Sequence, residues 1–206
     1  MGSSFPPMSD TPIHVLAVSG SNQEKSLTRA ALDHLAGLLR GAGCTVDILD
    51  LHGEPLDMVD PTATYGADYY PALKERVEKA QVIVIGTPDY HGSMSGAAKN
   101  FLDHFWKEFA GKLFGSLVAS YEKGLTVTDQ LRTVARQCYA WSMPYGMALQ
   151  DKADIRDGEI VSDEFRDRLE MFARDLRVYG GLLATQREAD LAGSDPGFMA
   201  RYRAKD

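Results

Sequence analysis

Three short stretches hold the residues whose types and spacing could do chemistry. The first, Ser19-Gly20-Ser21-Asn22-Gln23-Glu24-Lys25-Ser26-Leu27-Thr28, sets the hydroxyls of Ser19, Ser21, Ser26 and Thr28 beside the Lys25 ammonium and the Gln23 amide. The second is Pro88-Asp89-Tyr90-His91-Gly92-Ser93, and the third is Ser120-Tyr121-Glu122-Lys123-Gly124. Hydroxyls and a cation at the start of a helix suit an anion, because the first turn offers unpaired N–H groups and the positive end of the dipole. The dipole alone contributes only about 0.3 to 1 kcal/mol, or about 2 when partly buried, so the hydroxyls must add bonds of their own. Ser26 reads equally well as a plain helix N-cap. The second stretch combines a proline, an acid, an aromatic ring, an imidazole and a glycine, a set fitted to line a ligand.

Two sharper phosphate motifs fail. A P-loop needs two glycines four residues apart and then Lys and Ser or Thr, whereas Gly20 is followed by three residues and then Glu24-Lys25-Ser26. A dinucleotide fingerprint needs three glycines in the turn, and Gly20 stands alone. What is left is a hydroxyl-rich cup of monophosphate size.

The elements that would position these stretches are legible. His14 to Val18 is a short apolar strand feeding the first stretch, and Leu27, Ala31, Leu35 and Leu38 form the stripe of the helix that leaves it, with Gly41 and Gly43 as stops. Cys44 to Leu51 reads as a second strand, residues 52 to 68 as an irregular loop, and Tyr69 to Ala80 as a helix. Gln81 to Ile85 holds an unbroken Val-Ile-Val-Ile run, the mark of a parallel strand buried on both faces, and delivers the second stretch as a loop. Leu102, Phe105, Trp106 and Phe109 then predict one face of a helix over Ala97 to Phe109. Leu113 to Ala119 is a strand ending in the third stretch, followed by a helix through Leu131, Val134, Ala135 and Cys138. Pro144 to Leu149 is a last strand, Asp157-Gly158 a small hairpin turn, and Phe165, Leu169, Phe172 and Leu176 a final helix stopping near Gly180-Gly181.

Strands alternating with helices give an α/β doubly wound, five-stranded parallel sheet with helices on both faces, and five strands fit the flavodoxin-like order 2-1-3-4-5. Its switch point lies between the first and third strands, which carry the first two stretches. One ligand would place its phosphate in the first and its ring against the second, and such a ligand is a mononucleotide.

Composition bounds the remaining possibilities. The 206 residues are 44% hydrophobic, enough for one core and one domain, placed at residues 11 to 185, with 1 to 10 and 186 to 206 as tails. Met1-Gly2-Ser3-Ser4 resembles the remnant of an expression leader, with Met8 as a natural start. A net charge of −7 argues against a general hold on nucleic acid or an anionic membrane, since displacing the counterions of a phosphate polymer needs a basic face. Cys44 and Cys138 make no disulfide framework and no metal spacing, and read as small buried hydrophobes. No apolar run spans a bilayer, so the expectation is a cytoplasmic protein with no membrane partner.

The residues resemble the NADPH-dependent FMN reductase family of flavodoxin-like proteins. The resemblance rests on Gly20-Ser21 with Ser26-Leu27-Thr28, and on Pro88-Asp89-Tyr90-His91-Gly92-Ser93-Met94-Ser95-Gly96 with Lys99-Asn100, and covers roughly residues 13 to 184. The chain departs from it in having Gln23 where arginine is usual, Thr28 where asparagine is usual, and a single glycine in Ser120 to Gly124.

The resemblance implies FMN as cofactor, NADPH or NADH as hydride donor, and a small-molecule electron acceptor such as free flavin, a quinone, an azo compound or a metal oxyanion. It implies no catalytic side chain and no metal, since a flavin carries such chemistry itself. The second stretch would aim backbone groups at the flavin edge with Tyr90 and His91 flanking the rings, and Tyr121, Glu122 and Lys123 would meet the donor. Asp89 serves either the ligand or its own turn. Lys99 and Asp103 read as structural or interfacial. A homodimer or tetramer is expected, both from the family and because Phe101, Leu102, Phe105, Trp106 and Phe109 exceed what one sheet face covers. The alternative on the same fold is a flavodoxin-like single-electron carrier with its ring held between aromatic side chains.

Overall fold

The computed structural model describes residues 12–203, so the expected leader remnant lies outside the described residues. β1 (His14–Ser19), β2 (Thr45–Asp50), β3 (Val82–Tyr90) and β5 (Leu113–Ala119) form a parallel sheet in the order β2-β1-β3-β5. The fifth strand expected over Pro144 to Leu149 is cut back to β7 (Met147–Leu149), and a two-residue β6 (Trp141–Ser142) outside the expected range precedes it, both paired in parallel with β5. Pro144 lies between them; lacking an N–H, it cannot serve a ladder there.

Alternate residues of the central strands face opposite layers, as the pleat requires. Val15, Ala17, Val82 and Leu117 pack with Leu32, Leu35, Leu169 and Phe172 from α1 (Leu27–Gly41) and α5 (Asp163–Ala192). Leu16, Val18, Ile83 and Phe114 pack with Leu73, Phe101 and Leu131 from α2 (Tyr70–Lys79), α3 (Gly96–Asp103) and α4 (Leu125–Gln137). β8 (Ile155–Arg156) and β9 (Glu159–Ile160) form the hairpin expected at Asp157-Gly158, whose φ values of 50° and 88° are those of a tight two-residue turn.

Several elements differ from expectation, each for a physical reason. β3 runs on to Tyr90, so Pro88, Asp89 and Tyr90 belong to a strand, and it turns through His91 and Gly92 into the two-residue β4 (Ser93–Met94). α3 stops at Asp103, and a 3₁₀ turn at Lys107–Phe109 replaces its expected continuation. This tightening lets Phe105 stack on Tyr70 at 5.9 Å and meet Phe101 and Phe109, while Trp106 is thrown outward to 66% exposure. Phe101, Leu102, Phe105 and Phe109 are therefore covered by their own chain, which removes the apolar excess that argued for a partner; Trp106 alone keeps it.

α5 passes through Gly180-Gly181 instead of stopping there. A Cβ on Gly180 would lie 2.4 Å from Val82 Cγ2, so the glycine is where the helix backbone comes closest to the sheet. The polar tail expected from residue 186 is also corrected. Residues 186–192 continue the helix, Arg187 Nε donates to the Ala110 carbonyl at 2.9 Å, and a 3₁₀ turn at Phe198–Tyr202 buries Met199. At the opposite end of the sheet from the loops of interest, the buried Lys112 donates from Nζ to the carbonyls of Val77 and Ala80 at 2.5 Å and of Glu78 at 2.9 Å, closing the last turn of α2. Among the described residues no helix is long and apolar enough to cross a membrane.

Candidate functional site

The three stretches meet at the carboxyl ends of β1, β3 and β5, the edge at which open parallel sheets bind ligands. Their scaffold is built from short polar side chains. The Gly20 amide donates to the Gly86 carbonyl at 2.8 Å, and Ser95, the N-cap of α3, donates from Oγ to the Gly20 carbonyl while accepting the Ala98 amide at 3.1 Å. The first loop is thereby fastened to β3 and α3 at once. Asn100 performs the same service for the long loop, donating to Asp57 O at 2.9 Å and accepting from the Val59 amide at 3.0 Å. Lys99 and Asp103 form an exposed i, i+4 ion pair at 2.6 Å, away from the ligand edge.

A cleft of about 760 Å³ opens between the loops. Gln23, Lys25 and Ser26 line one end, Pro88, Asp89 and Tyr90 its middle, and Ser120 and Tyr121 the other wall. A second depression of about 550 Å³ adjoins it across Asp89, Ser120 and Tyr121 and is lined further by Gly92, Lys123 and Gly124. Ser19, Ser21 and Thr28 do not line the cleft: all three are buried beneath it. Thr28 instead packs its methyl where a Cβ on Gly86 would sit, 2.7 Å from that position, which closes α1 onto β3. His91 and Ser93 lie exposed on the hairpin, and Ser93 Oγ donates to Gln130 Oε1 at 3.1 Å.

Ser26 is the helix N-cap that its position suggested. Its Oγ accepts the Arg29 amide at 3.1 Å with extended backbone, a regular N-cap, and its hydroxyl proton is still available to an anion. Asp89 is committed to the scaffold: Oδ1 accepts the Gly92 amide at 2.8 Å and Oδ2 the Ser120 hydroxyl at 2.9 Å, tying the second stretch to the third. Ser19 Oγ is the one fully buried side-chain oxygen without a hydrogen-bond partner among the described residues. Such an orphan costs about 1 to 3 kcal/mol until something satisfies it.

Sequence reasoning missed Arg29, which lines the cleft with its guanidinium bound to Asp50 at 2.8 Å and Asp33 at 3.1 Å. It missed the far wall as well, where Asp151, Asp157 and Gly158 face the cleft. The hairpin turn itself was legible, but nothing local says that it folds back against α1, where His34 Nε2 meets the Gly158 carbonyl at 2.9 Å. Gln130 was missed because a single amide on a helix carries no sequence signal.

The family described as NADPH-dependent FMN reductase matches residues 13–154. The chain is similar to an FMN-dependent NADPH-azoreductase of Staphylococcus haemolyticus, with 29% identity over 169 residues, covering 76% of this chain and 89% of that protein. In fold it is similar to the flavoenzyme NAD(P)H:(acceptor) oxidoreductase FerB of Paracoccus denitrificans, with TM-score 0.67 and 19% identity over 84% of this chain and 98% of the other. A flavodoxin from the domain Archaea superposes with TM-score 0.58 and 10% identity over 82% of this chain and 99% of the other.

Proposed function

The chain belongs to the NADPH-dependent FMN reductase family and is an FMN-dependent NAD(P)H oxidoreductase with a flavodoxin-like fold, and from that premise we propose that the cleft between the β1, β3 and β5 loops holds the flavin and serves a small acceptor. One observation carries this reading: the cleft joins a hydroxyl-capped helix N-terminus at one end to the backbone of the Tyr90 hairpin in its middle. The donor set suits a phosphate monoester. Ser26 can turn its hydroxyl proton to the anion and Lys25 adds a charge that offsets Glu24, the acid beside it at the cleft, while the first turn of α1 itself holds none.

FMN when bound accepts hydride from the nicotinamide and passes reducing equivalents on. The protein positions it. Pro88 holds φ at the end of β3, and Asp89 fixes the Gly92 amide and Ser120 so that the hairpin and the third loop face the cleft together. Tyr90 and Tyr121, 47% and 92% exposed, both border the cleft, so the reductase is favoured over the single-electron carrier by the family match and the Pro88 to Ser93 motif and not by these rings. The acceptor we propose is an azo compound, quinone, free flavin or metal oxyanion taken at that same face. The test is rapid mixing of FMN-loaded protein with NADPH and, separately, NADH. Fast loss of flavin colour and parallel lines in steady-state plots are the expected result, whereas no bleaching by either nucleotide would put the carrier first.

Lys123 projects from the adjoining depression beside Glu122, and we assign it to the phosphates of the donor. Lys123→Ala should raise KM for NADPH about two- to fivefold with kcat unchanged, as for an exposed charge pair worth about 0.5 to 1 kcal/mol. A fall in kcat at constant KM would remove Lys123 from donor binding.

We also propose a cytoplasmic homodimer, or a tetramer of dimers, made from the single domain. The exposed Trp106 is the residue that supports association, and Trp106→Glu should shift light-scattering mass toward monomer. A monomeric parent at micromolar concentration would contradict this.

A further inference from the structure

The hairpin of β3 and β4 is too short to hold itself. β4 has two residues, the ladder has two pairs, Asp89 with Met94 and Tyr90 with Ser93, and isolated hairpins of any length are marginal in water. Its turn is also strained, because His91 adopts φ 58°, a left-handed conformation that non-glycine residues disfavour. Such strain persists only where the surroundings impose it.

On one side Asp89 Oδ1 takes the Gly92 amide at 2.8 Å. On the other, α4 offers Gln130. Its Oε1 accepts from the Met94 amide at 3.2 Å and from Ser93 Oγ at 3.1 Å, and its Nε2 donates to the Gly92 carbonyl at 3.2 Å. The side-chain amide thus fills the place of a third strand, using its donor and its acceptor on the backbone groups either side of Ser93. Gly92 has both its N–H and its C=O engaged, one by Asp89 and one by Gln130.

Building on the cleft assignment above, we infer that Gln130 is a positioning residue for the flavin, holding the Tyr90 to Met94 hairpin in one binding-competent conformation without touching the ligand. Because α4 follows the third loop, and Asp89 is bonded to Ser120 in that loop, the same clamp couples the two loops that border the second depression.

Two variants separate this role from general stability. Gln130→Leu keeps the bulk and removes all three bonds, whereas Gln130→Glu keeps an acceptor for the Met94 amide and Ser93 but sets a carboxylate oxygen against the Gly92 carbonyl. In flavin-free protein, hydrogen exchange of the Met94 amide should accelerate about tenfold in the leucine variant and less in the glutamate variant. FMN dissociation constants from fluorescence quenching should rise about tenfold for leucine and less for glutamate, the size expected when one or two bonds of about 1 kcal/mol no longer pre-order a loop. Parent-like FMN affinity in Gln130→Leu, or equal exchange of Met94 in all three proteins, would overturn the inference. A parent protein that binds no FMN in this cleft would remove the flavin role itself, and the exchange data would then describe only a structural clamp.

Discussion

Gly20→Ala should weaken FMN binding by about a hundredfold while leaving most of the fold intact. The position offers no room: an added Cβ would stand 2.6 Å from Ala98 Cβ, 3.0 Å from the Gly86 carbonyl and 3.2 Å from Ala98 Cα. None of these is the far end of a flexible side chain, so Gly20 itself must move. It would then give up its amide bond to Gly86 O and the bond that Ser95 Oγ donates to its carbonyl. Both fasten the loop that leads to Ser26, and misplacing one or two donors to a charged phosphate costs about 1.5 to 3 kcal/mol each. Overpacking adds about 1 to 3 kcal/mol to the folded state, visible as a lower melting temperature. The double variant Gly20→Ala, Ala98→Gly removes the closest clash and should recover much of the affinity, which separates loop displacement from unfolding. Parent-like affinity in Gly20→Ala would mean that the first loop does not hold the phosphate.

Lys112→Met should destabilise the protein by about 1 to 3 kcal/mol, by leaving the carbonyls that end α2 without a donor. It should also change how stability depends on pH. Burial, with the positive charge of Arg187 adding to it, pulls the Lys112 pKa down to about 7, against the opposing pull of Glu78 and Glu108. The unfolded value is about 10.4. Between those values the folded amine is neutral, with two N–H donors left for the three carbonyls, and the unfolded chain binds the extra proton, so this lysine makes stability rise with pH, at most about 1.4 kcal/mol per unit. The contribution is complete above the unfolded value and is lost as pH falls to about 7. Methionine has no proton to exchange, so urea unfolding at pH 7 and pH 9 should show the parent gaining on the variant by on the order of 2 kcal/mol. An equal response in both proteins would show that Lys112 keeps its proton when folded, held by three carbonyls at the negative end of a helix. The lysine lies at the opposite end of the sheet from the cleft, so FMN affinity at pH 7 should stay near parent.

The alternation of buried strands with amphipathic helices was enough to specify the sheet, because Val15 to Val18 and Val82 to Ile85 are apolar on both faces and only a doubly wound layer covers both. Likewise the Asp157-Gly158 turn states its local geometry through residues that tolerate few others, whereas the Pro88 to Ser93 stretch reads as a loop and becomes strand to Tyr90 only through its pairing with β4 and β5. Element ends were less legible. Gly180-Gly181 reads as a stop to any local rule, yet α5 continues because Val82 needs the missing Cβ as room. Trp106 and Phe105 look alike on a helical wheel, and only the aromatic cluster around Tyr70 and Phe109 decides that one is buried and the other exposed.

The site divides in the same way. Its chemical inventory, hydroxyls after β1 and a stretch rich in turn residues from Pro88 onward, was present in the sequence, since local spacing alone sets which groups a loop can offer. Which of those groups reach the cleft was decided by tertiary structure: Thr28 is spent on packing against Gly86, Asp89 on Ser120 and Gly92, and Gln130 is brought from α4 to the hairpin. Each of these contacts joins residues separated by tens of positions or competes for a group that local rules leave free, and hydrogen-bond partners are chosen only when the backbone that carries them has been placed.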